Sequence, residues 1–96
     1  MDKLFVVVRK DLTPSQQAVQ SGHAIAQYFV DGGKKWTNET LVILGVKDLT
    51  HLESLMSELS NQNINFSYFR EPDIGDEATA FACDSFHPKF SKLRLV

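Results

Sequence analysis

The sequence has little of several features that define whole classes of protein. It contains one cysteine, Cys83, so no internal disulfide can form and the thiolates of a zinc cage are missing. Its longest uninterrupted apolar run, Leu4 to Val8, is far shorter than the ~20 residues of a membrane span, and no small-residue cleavage site follows it. We therefore expect a cytoplasmic protein with no membrane partner, no metal and no cofactor.

A surplus of positive charge is also missing. The chain has 10 Lys and Arg residues against 12 Asp and Glu residues, which gives a formal net charge of −2. Proteins that bind by neutralising phosphates usually carry a basic surplus, so we expect no DNA partner, and any RNA binding would depend on a local basic patch. The 96 residues predict a single domain, 1–96, whose thin core favours a homodimer.

Four segments have the composition of β-strands. Two of them, "KLFVVVR" at 3–9 and "TLVILGV" at 40–46, are apolar without alternation, which is typical of strands buried on both faces. We therefore expect a helix on each side of the sheet. Two further strands are predicted at 64–70 and 78–83.

Two helices are predicted between these strands. Thr13, Pro14 and Gln16 give the first helix a capping box and a proline at its first position, and it runs to about Val30. Asp48 is predicted to cap the second. The packed face of the first helix is predicted to be its row of small and apolar residues, Val19, Gly22, Ala26 and Phe29 or Val30, widened by Ala18 and Ile25.

The order β-α-β-α-β-β, followed by a short extended segment, predicts an α/β fold. We expect a three-layer α/β/α sandwich around a small mixed sheet of four strands, with right-handed crossovers. Ligands of such sheets bind beyond the carboxyl ends of the parallel strands. At that edge, which we call the rim, the sequence places 9–11, the start of the first helix and the loop 71–77.

Four polar residues form a row along the first helix: Gln16, Gln20, His23 and Gln27. Such a row is either the wall of a site or a solvated surface, and the second is the commoner case. The residues also differ in position. At ~1.5 Å of rise per residue, His23 lies ~15 Å from the helix start, whereas Gln16 and Gln20 lie close to the rim.

The segment "VVRKDL" leaves the first strand at the rim. Arg9, Lys10 and Asp11 lie where the backbone N–H groups of the following helix point outward, so a phosphate would meet both the helix dipole and cationic side chains. An ordinary solvated loop, in which Asp11 helps to cap the helix, explains the same residues equally well.

The segment "REPDIGDEATA", 70–80, places four carboxylates within seven residues. Neighbouring carboxylates repel one another and can raise the pKa of one of them, and a carboxylate held there could orient or deprotonate water. The alternative is an exposed acidic turn. In the strand that follows, strict alternation places the alanines on one side and Thr79, Phe81 and Cys83 on the other.

Taken in order, these motifs resemble the peptidyl-tRNA hydrolase 2 family over nearly the whole chain. That family has a first strand ending V-V-R-x-D-L, a helix with A-A-Q-x-x-H-A, a D-x-G-x-T loop and a final L-K-L-like strand. The matching segments here are "VVRKDL" at 7–12, "AVQSGHA" at 18–24, "DIG" at 73–75 and "LRLV" at 93–96.

The resemblance implies hydrolysis of the ester between a peptide and tRNA. It assigns catalysis to Asp73, Gln20 and His23, with Asp73 orienting water. Substrate binding falls to Arg9, Lys10, Asp11, Gln16 and Glu77, where Gln16 replaces the family's lysine and Glu77 its threonine. Two alternatives remain, a catalytically silent relative that binds a nucleotide or another small polar ligand, and an interaction module.

Overall fold

Two parallel strands lie beside each other in the sheet. In the computed structural model, which describes residues 2–96, β1 pairs with β2 from Lys3 opposite Thr40 to Arg9 opposite Val46. The sheet has the strand order β3-β4-β1-β2-β5, and its other three pairings are antiparallel. The elements are β1 Lys3–Arg9, α1 Pro14–Val30, β2 Thr40–Val46, α2 Leu49–Asn61, β3 Ser67–Glu71, β4 Glu77–Cys83 and β5 Arg94–Leu95, with short 3-10 helices at Pro72–Ile74 and Pro88–Lys92.

β1 contributes to two hydrophobic clusters on opposite faces of the sheet. Leu4, Val6 and Val8 pack with residues of α1, whereas Phe5 and Val7 pack with residues of α2. The prediction of a strand buried on both faces is therefore confirmed for β1. It is wrong for the first half of β2, where Leu41 is 41% exposed. The mixed α/β class with two helices is confirmed. Within residues 2–96, no helix is long and apolar enough to cross a membrane.

The predicted count of four strands is wrong, because the extended segment near the end of the chain joins the sheet. β5 pairs antiparallel with β2, with Arg94 opposite Gly45 and Leu95 opposite Leu44, and the N–H of Val96 donates to the carbonyl of Ile43. A strand of two residues has no periodicity of its own. It forms because β2 presents an otherwise unpaired edge.

β3 begins at Ser67 and not at residue 64 as predicted. The reason is the way α2 ends: the N–H of Ile64 donates to the carbonyl of Leu59 at 2.9 Å, and Asn63 has a φ of 58°. These two residues therefore close the helix in a left-handed turn. Ile64 has the composition of a strand residue but its backbone belongs to the helix terminus.

The predicted packed face of α1 is wrong as well. Val19, Phe29 and Val30 are 53%, 49% and 77% exposed. The side that packs on the sheet contains small residues, which allow close approach, and polar residues that form hydrogen bonds with other elements. Its buried members are Gln20, Ser21, Ala24 and Tyr28. Hydrophobic periodicity predicts the wrong buried side for α1 because the side that is buried is partly polar.

Candidate functional site

A chain of hydrogen bonds at Gln20 joins α1 to β3 and β4. Gln20 is only 5% exposed. Its Nε2 donates to Oε1 of Glu71 at 2.7 Å, and its Oε1 accepts from the hydroxyl of Thr79 at 2.6 Å. Because a donor and an acceptor are both engaged, the side-chain amide has a fixed orientation, and Nε2 keeps a second proton to donate.

A β-bulge brings Thr79 to this position. Phe69 pairs with Ala80 and Arg70 with Ala78, so Thr79 is an extra residue in β4. Its side chain lies on the α1 side, as Ala80 does, although strict alternation predicts the opposite side. That prediction is therefore wrong for Thr79, because a bulge turns the side chain toward the other face of the sheet.

Glu71 connects Gln20 to the loop that carries Asp73. It caps the 3-10 helix Pro72–Ile74, and its Oε2 accepts from the N–H of Asp73 at 3.4 Å. The loop then closes through Gly75 and Asp76, both with left-handed φ angles of 71° and 60°, and the N–H of Asp76 donates to the carbonyl of Glu71. Asp73 is thus exposed on a short turn whose start is held by a buried amide.

A cavity of about 230 Å³ lies between the start of α1 and this turn. It brings together three of the predicted site residues, Gln16, Gln20 and Asp73, and adds Glu71. Its wall also includes apolar side chains and one hydroxyl: Leu12, Val19, Ile74 and Ser15. A small polar group can enter here and meet amide donors and two carboxylates. Within residues 2–96, no three His, Cys, Asp or Glu side chains are grouped to hold a metal ion.

Arg9, Asp11 and Glu77 form a separate ion-pair cluster beside the cavity. The Arg9 guanidinium is 2.8 Å from Asp11 and 2.8 Å from Glu77, and it also donates to the carbonyl of Ala78 at 3.1 Å. Arg9 is only 6% exposed. All three of its nitrogen atoms are engaged within the protein, since Nε donates to the other oxygen of Asp11. Arg9 is therefore not free to bind a phosphate in this conformation.

This cluster shifts the pKa of both partners. The hydrogen bond to Asp11, followed by that to Glu77, raises the pKa of Arg9 well above its ordinary value despite the opposing effect of burial. The hydrogen bond from Arg9 lowers the pKa of Asp11. Both groups are charged at neutral pH and stabilise the junction between β1 and β4.

Lys10 and His23 lie outside the cavity. The side chain of Lys10 crosses β2 at Gly45, where a Cβ would collide with it. His23 is exposed on α1, and its ring stacks on Phe69 with centroids 4.1 Å apart and planes 5° apart. Neither residue is among those that line the cavity.

Two members of this site escaped sequence reasoning. Glu71 precedes a proline at the start of a turn, a pattern that indicates a capping residue, but nothing in the sequence pairs it with Gln20. Thr79 gave no usable signal because a one-residue bulge cannot be read from an alternating pattern.

A larger cavity of about 400 Å³ lies at the other end of α1. Its wall includes Tyr28, whose hydroxyl donates to Asp84, and the exposed residues Asp31, Lys34 and Asn65. None of the predicted site residues lines it. The smaller cavity is the better candidate site because three of the predicted site residues, Gln16, Gln20 and Asp73, line it.

The comparisons with known proteins establish the fold and nothing finer. No family profile matches the sequence, and no curated protein matches it. Solved structures do match. One of them, a protein of unknown function from Agrobacterium tumefaciens strain C58, superposes with a TM-score of 0.73 over 99% of this chain and 97% of its own, at 13% sequence identity.

Proposed function

We propose that this protein hydrolyses the ester between a peptide and tRNA, as a divergent member of the peptidyl-tRNA hydrolase 2 family. The observation that carries the proposal is the hydrogen-bonded chain Thr79–Gln20–Glu71, which ends at the backbone of Asp73 beside a cavity. Ester hydrolysis needs a base for water and a donor for the developing oxyanion, and both are present at this position.

Each residue has a defined role in this reaction. Asp73 accepts a proton from water as the water oxygen bonds to the ester carbonyl carbon. The free proton on Nε2 of Gln20 donates to the carbonyl oxygen, which becomes negative in the transition state. The bond to the ribose oxygen then breaks, and that oxygen takes the proton from Asp73. Glu71 acts as a positioning residue because it holds both Gln20 and the Asp73 turn.

In this proposal Lys10, an exposed cation at the rim, holds tRNA phosphate. Its N–H donates to the carbonyl of Val46, so Lys10 and Lys47 leave the carboxyl ends of β1 and β2 side by side. Both lysines are exposed, and Leu12 of the cavity wall follows Lys10 by two residues. His23, stacked on Phe69, stabilises the wall on the β3 side.

The test is release of the N-acetylated amino acid from N-acetyl-aminoacyl-tRNA. We expect turnover by the wild-type chain and a loss of about 10²–10⁴-fold in Asp73→Asn, the usual contribution of a general base. Asp76→Asn is the matched control: Asp76 is exposed, is not among the residues that line the cavity, and has a left-handed φ of 60° that asparagine also adopts. No release with enzyme in excess, or equal rates for Asp73→Asn and wild type, contradicts the proposal.

A second candidate is a catalytically silent pocket for a nucleotide or another small polar ligand. The ion-pair cluster favours a small polar ligand without phosphate over tRNA or a nucleotide, because Arg9 is occupied and the cavity mouth carries Glu71 and Asp73, which repel anions. A ligand that binds only the folded state stabilises it by about 2.7 kcal/mol at 100 times its Kd. A screen of nucleosides, nucleotides and amino acids should therefore raise the melting temperature of the wild type and not of Gln20→Ala. A screen without any shift rules this candidate out.

A further inference from the structure

α1 turns an uncharged apolar face away from its own sheet. The helix contains no Asp, Glu, Lys or Arg in its 17 residues. We call the solvent side the outward face; its members are Ala18, Val19, Gly22, Ala26, Phe29 and Val30, all exposed. Surface helices normally carry charged residues on this side, and a helix that is apolar there needs a further partner.

The same side of the sheet is covered less completely at β2 and β5, where Trp36 of the preceding loop joins the α1-side cluster and buries Ile43 only in part. α1 packs on β1, β3 and β4. β2 and β5 lie beside the helix, where Leu41 is 41% exposed, Val96 is 56% exposed and Ile43 is half-buried. We call these three residues the β2 strip. Lys10 and Arg94 lie only at its end near Gly45, so the centre of the strip is apolar.

The sheet has room for a second helix over the β2 strip. Five strands about 4.8 Å apart form a surface roughly 20 Å wide, and helices pack 8–10 Å apart, so two helices fit side by side on one face. This chain supplies one helix to that face. The chain therefore exposes two apolar surfaces, the outward face of α1 and the β2 strip, and the second is wide enough to accept a helix.

We propose that two copies of this chain associate about a twofold axis, with α1 of each copy covering the β2 strip of the other. The arrangement is isologous, so one interface buries the outward face of α1 and the β2 strip of both copies. The small side chains of Ala18 and Gly22 let the two α1 helices approach closely. A foreign helix could cover the β2 strip but would leave the outward face of α1 exposed, which is why a second copy is the better occupant.

The area and charge of the surface fit such a dimer. A helix of 17 residues is about 25 Å long and about 10 Å wide, and burying two of its sides together with the strip removes on the order of 700–800 Å² per protomer. A standard interface buries about 800 Å² per partner. Because α1 has no Asp, Glu, Lys or Arg, its self-association brings none of these charges together, although the chain is acidic overall.

Sedimentation velocity of the full chain between about 1 and about 100 µM tests the proposal, since interfaces of this size have Kd values in the micromolar range or below. We expect a species of twice the 10.8 kDa chain mass. Ala26→Glu on the outward face and Leu41→Glu on the β2 strip should each weaken association at least about a hundredfold, because each buries an unpaired carboxylate. Circular dichroism verifies that the variants are folded.

Thr50→Glu, an equal charge change at an exposed position of α2, is the matched control and should leave the dimer intact. Three results overturn the proposal. One is a wild-type chain that stays monomeric at 100 µM, as expected if a different protein covers this surface. The second is a dimer whose dissociation constant neither Ala26→Glu nor Leu41→Glu changes. The third is a dimer that Thr50→Glu weakens as much as those two variants do.

Discussion

Arg9 is a buried cation whose role is to position its neighbours. Its guanidinium joins the end of β1 to the start of β4 through Glu77 and the carbonyl of Ala78. Ala78 directly precedes Thr79, the bulge residue that bonds to Gln20. Arg9 therefore helps to hold the bulge in place, a role that neither of the two interpretations of the sequence, a phosphate contact or a solvated loop, had predicted.

Replacing Asp11 by asparagine tests this ion-pair cluster through pH. The lowered pKa of Asp11 stabilises the native state above the ordinary aspartate pKa of about 3.9, and that contribution is lost as the pH falls through the lowered value. Because the Asp11 side chain is 39% exposed, we expect Asp11→Asn to cost only about 0.5–1 kcal/mol at neutral pH. Urea unfolding should show this difference at pH 7, and the difference should shrink as the pH is lowered below about 3.9.

Asp76→Asn, which removes an exposed carboxylate outside this cluster, should cost little at neutral or acidic pH. A penalty for Asp11→Asn that is equally large in acid would mean that asparagine acts through packing and not through lost charge.

At the scale of elements, α1 shows which local signals determine a helix and which do not. The predicted capping box is confirmed: the N–H of Gln16 donates to the Thr13 hydroxyl at 3.1 Å, and the N–H of Thr13 donates to the Gln16 side chain at 3.2 Å. The start and end of the helix follow from signals within a few residues. Which side is buried depends on partners far along the chain, such as Glu71 and Asp84.

Removing the cap of α1 should destabilise the protein measurably. Thr13→Ala leaves the N–H of Gln16 without its acceptor, which typically costs about 1 kcal/mol. In a domain of this size that corresponds to a fall of about 4–8 °C in melting temperature. Thr13→Ser keeps the hydroxyl and should recover most of the loss in a thermal unfolding experiment. Equal melting temperatures for Thr13→Ala and wild type would contradict a role for the capping box in stability.

For the whole molecule, the sequence predicted the central elements better than the edges. The bounds of β1, β2 and α1 agree with the structure, because unbroken apolar runs and caps are strong local signals. The start of β3 depends on the terminus of α2 and was missed. The last extended segment was predicted, but its pairing with the free edge of β2 was not.

The candidate site was predicted in part. Gln20, Gln16 and Asp73 do meet at one cavity, as their positions near the rim led us to expect. The commitment of Arg9 to Asp11 and Glu77 was not foreseeable, because an arginine beside a helix start serves a phosphate or a carboxylate equally well until the loop 71–77 is placed.

The short strand β5 has a consequence for solubility. "TLVILGV" has high β-propensity, no charge and no proline, the composition of segments that stack into amyloid-like sheets. β2 would form the border of the sheet if β5 were absent, and its free N–H and C=O groups would then template pairing between molecules. By occupying part of that border with an arginine-bearing strand, β5 protects the chain against edge-to-edge aggregation.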